Sequence, residues 1–336
     1  MRKTKEINIE EIARLAGVST ATVSRVINNK PSVSEKTREK VLEMMQGTGY
    51  ALNDRQRRSH FGEEPSSTIA VLLPDISNPF NGVVVEGIRK AAKQHDFTIT
   101  LILAKETGVG MDYYEEKLCD THIAGIISLS AFPSLEIALQ IKNRWPLVMC
   151  SEYLETDLIS SVGIDDVKAA EQATSFLLQS GRKKIALINS SLENKYARDR
   201  EAGYKRALIK AGYEFNDDFI IHLSTVSYHL ALSQLIYLFT KKPNIDAIFA
   251  CSDIFAAAAI EAAKKVGRKV PRDIAIIGFD NIDLAVMTSP SLTTVGQPSF
   301  EIGYQSCEIL IEHIQKPYIE PKNITLFTDF IIREST

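Results

Sequence analysis

Thr20, Ala21, Thr22, Ser24 and Arg25 sit in the run Gly-Val-Ser-Thr-Ala-Thr-Val-Ser-Arg-Val-Ile-Asn, residues 17–28, and their side chains suit the reading of base edges. Short side chains at the start of a helix let its backbone approach DNA closely. Ala21 or a threonine methyl can touch a thymine methyl, and the Arg25 fork matches the two major-groove acceptors of guanine. Such residues need two helices to present them. Asn8-Ile-Glu-Glu11 has the form of a capping box, and Ile12, Ala13 and Ala16 give the helix that follows one apolar face. Gly17 ends this helix because it takes positive φ without penalty, and Val18 plugs the turn. Ser19 caps a second helix that buries Val23, Val26 and Ile27. Two short helices joined by a three-residue turn form a helix-turn-helix, whose second helix enters the major groove. A capped helical hairpin in another α-rich domain would share this local pattern. Ser34-Glu-Lys-Thr-Arg-Glu-Lys-Val opens a third capped helix with Val41, Leu42 and Met45 inward, which completes a three-helix domain.

Charge separates this head from the rest. Residues 1–58 hold 12 Lys/Arg and 7 Asp/Glu, whereas the remainder holds 27 and 35, so an overall charge of −3 conceals a basic head on an acidic body. That asymmetry is expected when one end of a chain meets phosphates. With 45% hydrophobic and 24% charged residues, the 336-residue chain has the composition of a globular protein of two or three folding units. Its polar start and lack of a long apolar stretch predict a cytoplasmic protein without a membrane contact. Cys119, Cys150, Cys251 and Cys307 are far apart, which points to neither a zinc site nor a disulfide framework; three of them read as buried thiols. The six histidines are scattered, and no phosphate-binding loop, dinucleotide fingerprint or nucleophile elbow is present. The sequence therefore predicts no enzyme, no cofactor and no metal.

From residue 69 short apolar runs alternate with helical segments. The runs begin at Ile69, Phe97, Ile123, Pro146, Lys184, Ala247 and Ile274, and helices are predicted over Val84–His95, Lys168–Ser180 and Ile254–Val266. Strands buried on both faces and alternating with helices imply doubly wound parallel sheets. Polar groups cluster where such strands end. The first strand runs into Pro74-Asp-Ile-Ser-Asn-Pro-Phe80, and later come Arg200, Ser252-Asp253, Asp280 and Gln297. A guanidinium, a carboxylate and an amide together hydrogen-bond vicinal hydroxyls, and Phe80 offers an apolar face to a ring. Taken singly, Asp280 could instead cap a helix, Arg200 could pair with Asp199 or Glu201, and Phe80 could be core.

The segment Ile12-Ala-Arg-Leu-Ala-Gly-Val-Ser-Thr-Ala-Thr-Val-Ser-Arg-Val-Ile-Asn28, with Val33-Ser-Glu-Lys-Thr-Arg-Glu-Lys-Val41, resembles the lac-repressor family of bacterial transcription regulators. The resemblance spans nearly the whole chain. It implies a helix-turn-helix domain over 1–58, a hinge over 59–66 and a core over 67–336 like a periplasmic sugar-binding protein. The core would have an N-lobe of 67–164 and 296–325 and a C-lobe of 165–295 and 326–336, the latter including a last strand at Asp329–Arg333. It implies a repressor that binds a pseudo-palindromic operator as a dimer, with tetramers possible, under control of a small polyhydroxylated effector. DNA contacts are implied for Asn8, Ser19, Thr20, Ala21, Thr22, Ser24, Arg25, Asn28, Ser34, Thr37, Tyr50, Asn53 and Arg57. Effector contacts are implied for Asn78, Phe80, Ser151, Arg200, Ser252, Asp280 and Gln297.

Several departures qualify that expectation. Ser151-Glu152 replaces the usual Asp-Arg, and Ser252 stands where Asn often precedes the aspartate. Phrases such as Val-Met-Cys-Ser-Glu-Tyr and Gly-Phe-Asp-Asn-Ile-Asp-Leu are similar to the cytidine-repressor branch, which places a nucleoside beside a sugar as effector. In the hinge, Leu52 replaces Pro and Ser59 replaces the Leu that relatives wedge into the minor groove. Phe61 is an alternative wedge in this longer linker, and Arg55, Arg57 and Arg58 keep the attraction for phosphate.

Overall fold

Ser19 and Ser34 each stand immediately before a helix and accept a backbone N–H three residues on, from Thr22 at 3.1 Å and from Thr37 at 3.4 Å. These caps open α2 (Thr20–Ile27) and α3 (Glu35–Thr48). Before them α1 (Ile9–Ala16) ends at Gly17, whose φ is +65°. The three helices enclose Ile12, Ala13, Ala16, Val23, Val26, Val41 and Met45, with Val18 and Leu42 packed at the rim. Ser19, Thr20, Ala21, Arg25 and Ser34 are exposed, and Thr22, Ser24 and Thr37 are partly so. The structure is a computed structural model that describes residues 9–27, 33–48, 66–104, 109–118, 122–316 and 318–336. Asn8, Asn28, Tyr50, Asn53, Arg57 and the hinge residues Ser59 and Phe61 lie outside the described residues.

The apolar runs fold as strands of two six-stranded sheets, with order β11-β5-β4-β3-β1-β2 in the first and β12-β10-β9-β8-β6-β7 in the second. In chain order the first lobe comprises β1 (Thr68–Leu73), α4 (Pro79–Gln94), β2 (Thr98–Leu103), α5 (Met111–Leu118), β3 (Gly125–Ser128), α6 (Leu135–Arg144), β4 (Leu147–Cys150) and β5 (Ser160–Ile164). The second comprises α7 (Asp166–Gln179), β6 (Ile185–Ser190), α8 (Lys195–Lys210), β7 (Ile220–Leu223), α9 (Tyr228–Lys241), β8 (Ala247–Ala250), α10 (Asp253–Lys265), β9 (Ala275–Asp280), α11 (Leu284–Met287) and β10 (Thr293–Gly296). The chain then returns to the first lobe for α12 (Ser299–Gln315) and β11 (Asn323–Leu326). It crosses again to end in β12 (Asp329–Ile331). All pairings are parallel except β10 with β12.

Burial on both faces holds for β1, β3, β4, β6, β8 and β9 but fails at the edges. In β2 Leu101 and Leu103 are half exposed (50% and 51%), because an edge strand has a neighbour on one side only. The helix predicted from Val84 begins at Pro79, where Asn78 caps it by accepting the Phe80 N–H at 3.1 Å and Pro79 fits the first turn. Strands β5, β10 and β11 lack the continuous apolar runs that mark most of the others, and the run of β7 is broken by His222. Ser160-Ser-Val-Gly-Ile164 is nevertheless buried throughout, between β4 and β11.

Backbone contact sets the helix spacing in both lobes. A Cβ on Gly87 of α4 would lie 2.1 Å from the Phe300 carbonyl oxygen, and one on Gly303 of α12 would lie 2.0 Å from that of Val84. In the second lobe a Cβ on Gly203 of α8 would lie 2.2 Å from the Val167 oxygen of α7. A methyl here meets rigid backbone, so Gly303→Ala is expected to destabilise the fold by about 1–3 kcal/mol or more. Gly82, in the same helix as Gly87, has nothing within 4 Å of an added Cβ. Gly82→Ala should therefore gain about 0.5–1 kcal/mol from helix propensity. Chemical denaturation of the two variants checks the contrast.

Candidate functional site

The strand ends of the two sheets face one another across a cavity. Its lining includes Asn78, Phe80, Ser151, Arg200, Ser252, Asp280 and Gln297, so all seven residues expected at a ligand site are brought together. They come from six separate places in the chain. Asn78 and Phe80 lie at the start of α4, Ser151 follows β4, and Arg200 projects from α8. Ser252 follows β8, Asp280 ends β9, and Gln297 follows β10.

Arg200 is the centre of the second lobe's wall. It is buried, its Nε donates to Asp166 Oδ1 at 2.8 Å, and its Nη1 donates to the Cys251 carbonyl at 2.5 Å. Asp280 Oδ1 lies 3.7 Å from Nη1. The guanidinium carbon stacks 3.5 Å from the Phe279 ring centroid and 4.9 Å from that of Tyr196. The pairing with Asp199 or Glu201 that sequence neighbours offer is not made. Asp199 is bound by Lys195, and Glu201 by Lys205 and His222.

Asp280 accepts the Gln297 Nε2–H at 2.7 Å and adopts φ +113°, a backbone region that side chains other than glycine rarely occupy. Burial pushes its carboxyl up to about 6 against the pull of Arg200, Gln297 and Ser252. Behind it Asp253 accepts the Thr294 hydroxyl at 2.6 Å and the Ile282 N–H at 2.9 Å, and burial beside Asp280 raises it to about 8. Asp166 is likewise raised, burial outweighing the attraction of Arg200.

Asn78 and Ser252 combine two roles. Each lines the cavity and each caps a helix, Ser252 Oγ accepting the Ile254 N–H at 3.3 Å. Phe80 is both a core residue, 7% exposed, and part of the cavity wall. Ser151 sits at φ +66° with its N–H donated to the Val162 carbonyl. Sequence reasoning left out Asp166, Glu152, Tyr196 and Ser130. Asp166 and Glu152 carry no local signal, because their partners are 30 or more residues away in the chain. Tyr196 lies one helical turn before Arg200, and that spacing was the available signal. Ser130 Oγ and Gln297 Oε1 are buried without a hydrogen-bond partner among the described residues, and both belong to residues that line the cavity.

Comparison with known proteins decides the family. Residues 8–53 match the family described as bacterial regulatory proteins, lacI family, and residues 174–336 match the periplasmic binding protein-like domain. Catabolite control protein A of Priestia megaterium is 32% identical over 98% of this chain and 99% of its own length. The chain belongs to the lacI family of bacterial regulatory proteins. It is thus a transcription regulator with a helix-turn-helix head and a two-lobed α/β core. The transcriptional repressor CytR of Escherichia coli K12 is 31% identical over 98% of this chain and 96% of that protein, so the identities do not single out one branch. The solved transcriptional regulator CelR–cellobiose complex superposes with a TM-score of 0.74 at 29% identity, covering 98% of this chain and all of that one. Among the described residues, no helix is long and apolar enough to cross a membrane and no cluster of metal-ligating side chains occurs.

Within this lacI-family regulator, removing Arg200 strands Asp166 and Asp280 as buried charges. Arg200→Ala is expected to cost about 3–5 kcal/mol of stability at about pH 8. The loss should be smaller at about pH 5, because the raised Asp280 then takes up a proton and no longer needs the guanidinium. Urea denaturation at the two pH values measures both effects.

Proposed function

We propose that this regulator is a repressor acting in the cytoplasm, which binds a pseudo-palindromic operator as a dimer and is controlled by a neutral, hydroxyl-rich effector in the inter-lobe cleft. Residues 1–58 act as the DNA-binding domain, 59–66 as hinge, and 67–336 as the effector-binding and dimerisation core. The observation that carries the effector reading is the convergence of Asn78, Phe80, Ser151, Arg200, Ser252, Asp280 and Gln297 on one cavity from both lobes.

The chemistry of the cavity supports a neutral ligand. Asp75, Glu152, Glu193 and Asp280 line it against Arg200, and that guanidinium is already committed to Asp166 and the Cys251 carbonyl. Hydroxyl groups on a sugar or nucleoside would donate to Asp280 and to the unpartnered Gln297 Oε1, and Ser130 Oγ would meet a further polar group. Phe80 and Tyr196 provide the apolar surface for a ring. The cellobiose complex of the similar CelR fits the same class.

Arg25, Ala21 and their neighbours on the exposed side of α2 read bases, while Ser19, Ser34 and Thr37 hold phosphates. The exposed apolar side chains that self-association could cover include Val83 on α4 and Leu101 and Leu103 on β2, with Val286 and Met287 on α11 of the second lobe.

Two measurements test this reading. Selection of an operator from random DNA, followed by fluorescence anisotropy, should show Arg25→Ala costing about 1–3 kcal/mol on the operator with one base preference relaxed. Equal weakening on random DNA would remove its base-reading role. A thermal-shift screen of sugars and nucleosides should find a ligand that stabilises by about 2.7 kcal/mol at ~100 times its dissociation constant. Asp280→Asn should abolish that response, and the ligand should release the operator. Tighter operator binding with ligand would make the effector a co-repressor.

A further inference from the structure

Asn194 stands at the N-cap of α8, and its side chain makes no hydrogen bond to the helix. An acceptor for the first turn comes from the other lobe. Glu152, on the loop after β4, accepts the Lys195 N–H on Oε2 at 2.9 Å and the Tyr196 N–H on Oε1 at 2.8 Å. A carboxylate is favoured there by the orphan amides and the positive end of the helix dipole. Glu152 is 7% exposed, shut in where the lobes meet. The same loop also holds the Lys195 side chain, whose Nζ lies 4.3 Å from the Tyr153 ring centroid and 4.0 Å from Glu155 while it pairs with Asp199. Residues 152–155 of the first lobe therefore grip the first turn of the helix that carries Arg200.

We propose that Glu152 is a positioning residue for lobe closure, capping α8 from across the cleft, so that closing the cleft completes this helix and opening it strips two backbone amides of their acceptor. The proposal rests on the two-lobed architecture and not on the identity of the effector. It also gives closure a proton dependence with a definite sign. Burial pushes the Glu152 carboxyl up to about 7, although the two amides pull it down. The charged and titratable groups around it are Lys195, Tyr196, Arg198 and Asp199 of α8, Asp166 at the start of α7, and Tyr153 and Glu155 of its own loop. Parted lobes return the carboxyl to water and to its ordinary value near 4.5. The closed arrangement therefore holds the proton more tightly, and closure takes up a proton. Between about pH 8 and about pH 6 the closed-to-open ratio should rise about tenfold. The neutral acid still accepts one amide through its carbonyl oxygen.

The test uses the full chain without ligand. Nitroxide labels are placed at Glu136→Cys, on the exposed start of α6, and His229→Cys, on the exposed start of α9, with Cys119 replaced by Ser. Pulsed electron resonance then gives the inter-lobe distance distribution. The shorter separation should gain population as pH falls from about 8 to about 6. Glu152→Gln, which is fixed neutral, should lose that response, whereas Asp253→Asn should keep it, separating Glu152 from a second carboxyl that burial raises into this range away from the cavity wall. Glu152→Ala should favour the longer separation at every pH and speed hydrogen exchange at the Lys195 and Tyr196 amides. A full pH response in Glu152→Gln, or unchanged distances and exchange in Glu152→Ala, would overturn the proposal. Should Glu152→Ala fail to fold, the pH series on Glu152→Gln decides by itself. Failure of this clasp would leave the proposed function standing, because the thermal-shift response tested through Asp280→Asn reads effector binding by a separate residue.

Discussion

Arg200 lies buried among the strand ends of the second lobe, and its contacts with Asp166, the Cys251 carbonyl and Asp280 form the constraint around which that wall of the cleft is built. The cluster joins the start of α7, the middle of α8, the end of β8 and the end of β9, four pieces that share no local sequence. A buried ion pair of this kind adds little net stability relative to an apolar core, because desolvation cancels most of its attraction. What it supplies is direction. Phe279 and Tyr196 stack on the guanidinium, Gln297 holds Asp280, and Asp253 receives Thr294 and the Ile282 amide behind it. Each hydrogen bond fixes a donor or acceptor at the cavity wall before any ligand arrives.

That preorganisation depends on rigid lobes and a soft junction between them. Within each lobe the helices touch backbone to backbone, through Gly87 and Gly303 in the first and Gly203 in the second, leaving little room for sliding. Between the lobes the chain crosses three times, after β5, after β10 and between β11 and β12. Three short crossovers permit hinge motion but resist separation. A ligand that touches both walls shifts such an equilibrium only by its differential affinity for the two arrangements. The cavity meets that condition, since Asn78, Phe80 and Ser151 belong to one lobe and Arg200, Ser252 and Asp280 to the other.

The head is a separate physical problem. Among the described residues it has a seven-residue core and two serine caps, and the surface of α2 that faces solvent carries Thr20, Ala21 and Arg25. Its structure depends on contacts between residues fewer than 35 positions apart, so its stability is local while the chemistry of the cleft is not.

This difference explains what the chain's own residues determined. The three helices of the head, the turn at Gly17, the caps at Ser19 and Ser34 and the parallel αβ alternation were legible in the sequence, because each depends on periodicity or on a turn residue acting within one or two turns. Asn78, Phe80, Ser252, Asp280 and Gln297 were legible as types at strand ends; Arg200, expected at a strand end, instead projects from the middle of α8, and Ser151 was pointed to by the family resemblance. Strands β5 and β10 were not legible, since their burial comes from the strands on either side and not from their own apolar content, and β7 and β11 are short edge strands left partly exposed. The partner of Arg200 was equally hidden. Asp199 and Glu201 adjoin it in sequence, yet a helix turns residues one apart to different faces, and Asp166 from the preceding helix fills the place. Glu152 was visible only as a departure from its relatives. That its carboxylate caps a helix 43 residues further on was decided by the packing of one lobe against the other, because the N-cap residue Asn194 makes no hydrogen bond to the helix and the acceptor comes from across the cleft.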